Sequence, residues 1–252
     1  MKNEDTYKYI LENKIPERHW WYRVRNNLLE IIFRKILKFR EERNKDILDV
    51  GSGYGQTFSI LQKFGNIYSV DSNEYCTDYQ KNNYKDVIVW NAEFPDSRSS
   101  SYTYDVICMF DFLEHTENPA RVLEYSYKIL KKGGFLLITV PAYQWMWTDF
   151  DIKAGHFRRY SRSDLIPEAG RAGFKSIYST YFITLLFIFA VMVRKIINPL
   201  TKKGKTSLGL EFENTGSFIN EILYRISYLE TFIIRKKLFM PFGLSILGVF
   251  QK

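Results

Sequence analysis

Between residues 46 and 140 the hydrophobic pattern changes its period again and again. Short apolar runs, "DILDV" (46–50), "NIYSVD" (66–71), "DVIVW" (86–90), "YDVICMF" (104–110) and "GFLLITV" (134–140), read as buried parallel strands. Helix-sized segments lie between them. One of these, "NPARVLEYSYKILKK" (118–132), runs up to Gly133-Gly134, a helix stop. Strands alternating with helices predict an α/β fold, a doubly wound, mostly parallel sheet with helices on both faces. Ahead of this core, Leu28, Ile31, Ile32, Ile36 and Leu37 have the spacing of an amphipathic helix.

The rhythm breaks after residue 172. "GFKSIYSTYF" (173–182) reads as a further strand and "ITLLFIFAVMV" (183–193) as a strongly apolar helix. A polar, basic stretch (194–217) reads as a mobile loop. Phe218, Ile222, Ile226, Leu229 and Ile233 mark one amphipathic helix, and Leu244 to Phe250 a last strand. The expected organisation is an N-terminal helical region (1–44), a core (45–181), and an elaboration of the same domain (182–252). The 18 uncharged residues from Ser176 to Val193 reach the length of a membrane-span candidate. Their strongly apolar part, from Phe182 onward, would cover only about 18 Å as a helix, against a hydrocarbon core of about 30 Å. The segment is therefore expected either to pack under the 218–236 helix or to dip into an anionic bilayer surface, with Arg194, Lys195, Lys202, Lys203 and Lys205 at the headgroups.

Composition narrows the class. A hydrophobic fraction of 46% with 25% charged residues excludes wholesale disorder. The net charge of +8 favours an anionic partner. Two cysteines, Cys76 and Cys108, supply neither a disulfide framework nor a metal site, and no metal is expected. "MKNEDTYKYI" lacks the apolar core of a signal peptide, so a cytoplasmic location, peripheral on a membrane at most, is expected.

"ILDVGSGYG" (47–55) carries the most chemistry. An apolar strand runs into Gly51, Gly53 and Gly55, a loop that lets backbone approach a nucleotide-like ligand at the carboxyl edge of the sheet. The dinucleotide fingerprint fails because residue 56 is Gln, while Asp49 precedes the first glycine by two and Asp71 ends the next strand. This pattern resembles the class I S-adenosylmethionine-dependent methyltransferases, which have a Rossmann-like fold. "YDVICMFDFLEHTENPARVLEYSYKILKKGGFLLITVP" (104–141), with its Leu113-Glu114-His115 element, strengthens the resemblance. It implies that S-adenosylmethionine is the cofactor and that Asp49 faces its amino-acid end. Gly51, Gly53 and Gly55 would line it, Asp71 would bind the ribose, Asn91 and Ala92 would meet the adenine, and Phe110 would lie beside it. Glu114 and His115 stand where a helix begins, and capping or packing explains them about as well as catalysis.

The long segment "PAYQWMWTDFDIKAGHFRRYSRSDL" (141–165) follows the strand after that element, at the ligand edge. Tyr143, Trp145 and Trp147 could form an apolar wall, and His156 could act as base or acceptor-orienting group. Arg158 and Arg159 could grip an anionic group of the substrate. The structural alternative has His156 pinning the loop and the arginines pairing with Asp149, Asp151 or Glu168. The Gly-His-x-Arg-Arg-Tyr element, the Trp20-Trp21 pair and the "PFGLS" ending (241–245) also resemble a methyltransferase subfamily associated with bacterial surface-glycan genes. The leading expectation is a methyltransferase acting on a small-molecule or lipid-linked glycan acceptor. A membrane-associated, cofactor-binding scaffold is the alternative. A nucleic-acid partner is not expected, because "FDFLEH" stands where amino-methylating DNA enzymes carry Pro-Pro-aromatic.

Overall fold

The structure is a computed structural model that describes residues 19–96, 98–192 and 216–252. Its seven strands are β1 (Lys45–Val50), β2 (Gly65–Asp71), β3 (Val87–Asn91), β4 (Tyr104–Phe110), β5 (Leu130–Pro141), β6 (Lys175–Phe182) and β7 (Ser245–Gln251). They form one sheet in the order β3-β2-β1-β4-β5-β7-β6. β1 to β5 pair in parallel, and β7 inserts antiparallel between β5 and β6. The chain winds outward in both directions from β1 and β4, so the crevice that collects ligands in such sheets opens at their carboxyl ends.

The helices are α1 (Trp20–Ile31), α2 (Phe58–Leu61), α3 (Glu74–Asn83), α4 (Pro119–Ile129), α5 (Asp149–Ala154), α6 (Arg162–Arg171), α7 (Thr184–Met192), α8 (Ser217–Leu229) and α9 (Thr231–Arg235). Successive strand side chains point to opposite faces, and each face has its own core. Ile47, Cys108, Leu137 and Val249 pack with Leu28, Leu29, Phe58 and Phe64 on one side. Leu48, Ile107, Leu136 and Phe250 pack with Leu123, Leu165 and Ala169 on the other. The starts of the helices are locally encoded. Asn73 caps α3 and Asn118 caps α4 ahead of Pro119, while Thr148/Asp151 and Ser161/Asp164 make capping boxes on α5 and α6.

Two expectations need correction. The 118–132 helix stops at Ile129, and Leu130 to Lys132 already belong to β5. Lys131 donates to Asp46 and Asp105 at 2.8 Å each, and Lys252 donates to the carbonyls of Tyr127 and Leu130, closing the helix end before the glycines are reached. The 218–236 helix is divided at Glu230, whose buried carboxylate accepts the Leu185 N–H at 2.8 Å at the start of α7. The apolar helix is too short to span, as the sequence led one to expect, and it buries one side only. Leu186 and Ala190 are buried while Leu185, Ile188 and Phe189 are exposed, and no described helix is long and apolar enough to cross a membrane. Nearly all of the basic stretch, including the five cations named above, lies outside the described residues.

Candidate active site

The glycine loop is built by β1 and held by polar side chains from β2 and α3. Gly51 and Gly53 take φ values of +67° and +58°, and a Cβ at Gly51 would come within 2.4 Å of the Phe112 ring. Gln80 donates to Ser52 Oγ at 2.8 Å and accepts from Ser69 Oγ at 2.6 Å, which fixes the loop from behind. The Gly53 N–H donates to Asp71 Oδ2 and the Asn73 N–H to Asp71 Oδ1, both at 2.8 Å, so the β2 carboxylate is aimed by the backbone. Asp49 lies beneath the loop, 1% exposed, and accepts from the Thr57 hydroxyl at 2.5 Å. Burial pushes its carboxyl up to about 7, against the opposing pull of that hydrogen bond and of Arg25.

Over this loop opens a cavity of about 460 Å³ at the carboxyl edge, within the range of small-molecule sites. Of the residues singled out in the sequence, Gly51, Gly53, Asp71, Ala92, Phe110, His156 and Arg159 line it together. Asp49, Gly55, Asn91, Tyr143, Trp147 and Arg158 are not in its wall. Gly55 packs on Phe58. Asn91 is exposed, and its amide donates to the Asp71 carbonyl at 3.4 Å. Tyr143 stacks on Trp145 and Tyr181 with ring centroids 5.5 and 5.2 Å apart and meets Phe187 of α7, so it belongs to an aromatic cluster beside the site.

The 154–165 segment is wired in place as a wall. Asp151, fully buried, accepts from His156 Nδ1 and Arg159 Nε at 2.8 Å and from Arg159 Nη2 at 2.9 Å. Its Oδ2 also takes the Thr148 N–H at 2.7 Å. Burial alone would raise this carboxyl, but His156, Arg159 and Thr148 together hold it well below the usual carboxylate range. Arg158 donates to the carbonyls of Thr116 (3.2 Å) and Glu117 (2.9 Å), and the Phe157 N–H to that of Glu114 (2.7 Å). The two arginines are therefore not the free anion clamp that the sequence suggested. The contact with Asp151 is the structural alternative for His156 and Arg159; Arg158 holds backbone carbonyls instead.

Trp20, Trp21, Tyr22 and Arg25 of α1 line the cavity, as do Asp111, Phe112, Glu114 and His115, which follow β4. Of these further lining residues, Tyr22, Arg25, Asp111 and Phe112 were missed in the sequence, while Trp20, Trp21, Glu114 and His115 were named there without being assigned to the site. Arg25 is 1% exposed and pairs with Asp111 Oδ2 at 2.8 Å, while its Nε and Nη2 have no hydrogen-bond partner. One signal was available: Trp21, Arg25 and Leu29 share a helix face at i, i+4 spacing, which puts a guanidinium on the apolar side of α1. Asp111, at φ +55°, is raised by burial against the pull of Arg25. Glu114 is 1% exposed, and burial with the nearby Asp111 charge pushes its acid well up.

A glycine loop after β1, a carboxylate ending β2 and a polar pocket beyond β4 define an α/β domain that holds a nucleoside-bearing cofactor beside a second ligand. A family profile described as "Methyltransferase domain" matches residues 20–179, and the chain belongs to that family. It is 29% identical over 137 residues to an uncharacterized protein of Methanocaldococcus jannaschii, covering 54% of this chain and 53% of the relative. A second uncharacterized protein of that organism is 27% identical over 205 residues, 75% of this chain and 84% of the relative. The chain thus spans about half the length of the first relative and most of the second. Among solved structures, an S-adenosylmethionine-dependent methyltransferase from Archaeoglobus fulgidus superposes with TM-score 0.56 at 18% identity, over 90% of this chain and 94% of that one. Coclaurine N-methyltransferase bound to N-methylheliamine and S-adenosylhomocysteine gives 0.55 at 16%, over 90% and 72%. At such identities these two show the shared fold.

S-adenosylmethionine is the cofactor of this class, and the residues present fit it. Gly51 and Gly53 line the cavity, and the backbone-aimed Asp71 carboxylate suits a ribose diol. The unpartnered Nε and Nη2 of Arg25 suit a carboxylate.

Proposed function

We infer that this protein transfers a methyl group from S-adenosylmethionine to a small-molecule or lipid-linked acceptor. One observation carries the reading: a single cavity joins the Gly51–Gly53–Asp71 end, suited to a nucleoside, to an end carrying Asp111, Glu114, His115 and His156. The bound cofactor supplies an electrophilic methyl on a sulfonium. The protein's part is to hold the acceptor in line with that methyl and to manage its proton. His156, clamped by Asp151, orients the acceptor or takes its proton. Arg25 takes the cofactor's carboxylate through Nε and Nη2, while Arg158 and Arg159 hold the wall around the acceptor.

Titration with S-adenosylhomocysteine tests the cofactor half of this reading. Micromolar binding to the native chain is expected, weakened at least about tenfold in Asp71→Ala, the loss of one charge-assisted hydrogen-bonding group. Equal binding by both proteins would remove Asp71 from the site. His156→Ala is expected to abolish turnover while sparing S-adenosylhomocysteine binding; unchanged turnover would take His156 out of the mechanism.

The exposed sides of α7, α8 and α9 support a lipid-linked acceptor as the second reading. Ile188, Phe189, Phe218, Phe232 and Phe239 are each more than half exposed, and Arg235, Lys236 and Lys237 stand beside them in the sequence. The protein is then expected to sediment with anionic vesicles and not with neutral ones. Absence from both pellets would leave only a freely diffusing acceptor.

A further inference from the structure

Glu114, His115 and His156 converge on one wall of the cavity, each offering a ligand atom, and those atoms lie within 4.8 Å of one another. The Glu114 carboxylate is buried and its Oε2 has no hydrogen-bond partner. A buried carboxylate oxygen in that position calls for a proton or a cation. The rings of His115 and His156 stand edge to face with centroids 4.6 Å apart. Behind His156, Asp151 takes the Nδ1–H at 2.8 Å, which leaves the lone pair of the ring on Nε2. Asp151 is itself immobilised by Arg159 and Thr148. A histidine backed by a fixed carboxylate is the outer-sphere arrangement that orients metal-bound imidazoles.

We propose that Glu114, His115 and His156 form a binding site for a divalent first-row transition metal, with Zn²⁺ as the reference ion and an open coordination position toward the cavity. Two imidazoles and one carboxylate are a zinc-type donor set, whereas Mg²⁺ and Ca²⁺ take oxygen ligands. The open position faces the space assigned to the acceptor, so the site selects an acceptor with a hydroxyl oxygen able to coordinate. With both ring nitrogens engaged, His156 then orients that oxygen and does not itself take the proton. This deepens the methyl-transfer reading and rests on it for the acceptor's identity. Metal binding itself depends on the three ligands and on Asp151 behind His156, and not on methyl transfer.

Tag-free protein, stripped with chelator and dialysed, would be titrated calorimetrically with Zn²⁺, then with S-adenosylhomocysteine, as native chain, Glu114→Gln, His115→Ala and Asp151→Asn. One equivalent of Zn²⁺ is expected to bind the native chain, about 100-fold more weakly when Glu114 or His115 is replaced and about 10- to 100-fold more weakly in Asp151→Asn. Co²⁺ substitution supplies a spectroscopic reading, with visible ligand-field bands in the native chain and their loss in His115→Ala. No stoichiometric Zn²⁺ in the native chain, or equal affinity in Glu114→Gln and His115→Ala variants of native circular dichroism, overturns the metal site. S-adenosylhomocysteine binding on the same samples reports separately on the methyl-transfer reading. Either can therefore fail while the other stands.

Discussion

Asp151→Ala is expected to destabilise the protein by about 3–5 kcal/mol, the cost of breaking a buried ion pair from one side, and to reduce turnover to background. The carboxylate is fully buried, and removing it leaves the Arg159 guanidinium, at 8% side-chain exposure, without its bidentate partner. It also frees the His156 ring, whose orientation depends on the 2.8 Å bond to Oδ1. Asp151→Asn keeps the size and one acceptor oxygen and should fall between. A carboxyl held below its ordinary value of 3.8 contributes stability that is fully present above that value and is lost progressively as the pH falls from there through the lower folded value. The difference in stability between native chain and Asp151→Ala should therefore persist at neutral pH and shrink below about pH 4. Chemical denaturation at pH 7 and at about pH 2 measures both quantities. A loss under about 1 kcal/mol at pH 7 would mean that the 148–159 segment is held by other contacts.

Asp49→Asn is expected to act in the opposite direction on stability. The Asp49 carboxyl is pushed up to about 7 by burial, so the folded, cofactor-free state retains a proton that the unfolded chain gives up near 4. The native state then binds more protons than the unfolded state between those values, and stability falls as the pH rises from about 4 to 7. The gap between about 7 and the ordinary value corresponds to about 4 kcal/mol at most. Asn removes that cost and can still accept from Thr57, so the variant should melt several degrees higher at pH 8 and show little difference at pH 4. If Asp49 faces the cofactor's cationic amino-acid end, the same variant should bind S-adenosylhomocysteine more weakly. Equal melting temperatures at pH 8 would show that the carboxyl is not perturbed in solution.

Much of the fold was legible because parallel strands buried on both faces appear as contiguous apolar runs, and residues 46–140 contain five of them. That Gly51, Gly53 and Asp71 meet at one cavity was legible for a related reason, since a tight turn at the strand ends constrains backbone and chemistry within a few residues of one another, whereas Asp49 and Gly55 stand outside its wall. Helix ends were read less well. α4 ends before its glycines because Lys252, distant in sequence, satisfies its last carbonyls.

The polar end of the site divides along the same line. That a histidine and two arginines stand together at 156–159 is a property of the sequence, and so is their position after β5 at the ligand edge. Which of their donors are already used is not, because Arg158 finds carbonyls about 40 residues away and Arg25 reaches Asp111 across 86 residues. Glu114 reads in sequence as an ordinary helix-start acid and becomes a buried carboxylate with an unpartnered oxygen only when the 156–159 segment closes against it. Local periodicity and turn chemistry determined the strands, the cofactor loop and the order of the core. Long-range packing decided the place of α1 in the cavity wall, the Asp151 clamp and the convergence of Glu114, His115 and His156, because desolvation and hydrogen-bond competition act only between groups that folding brings together.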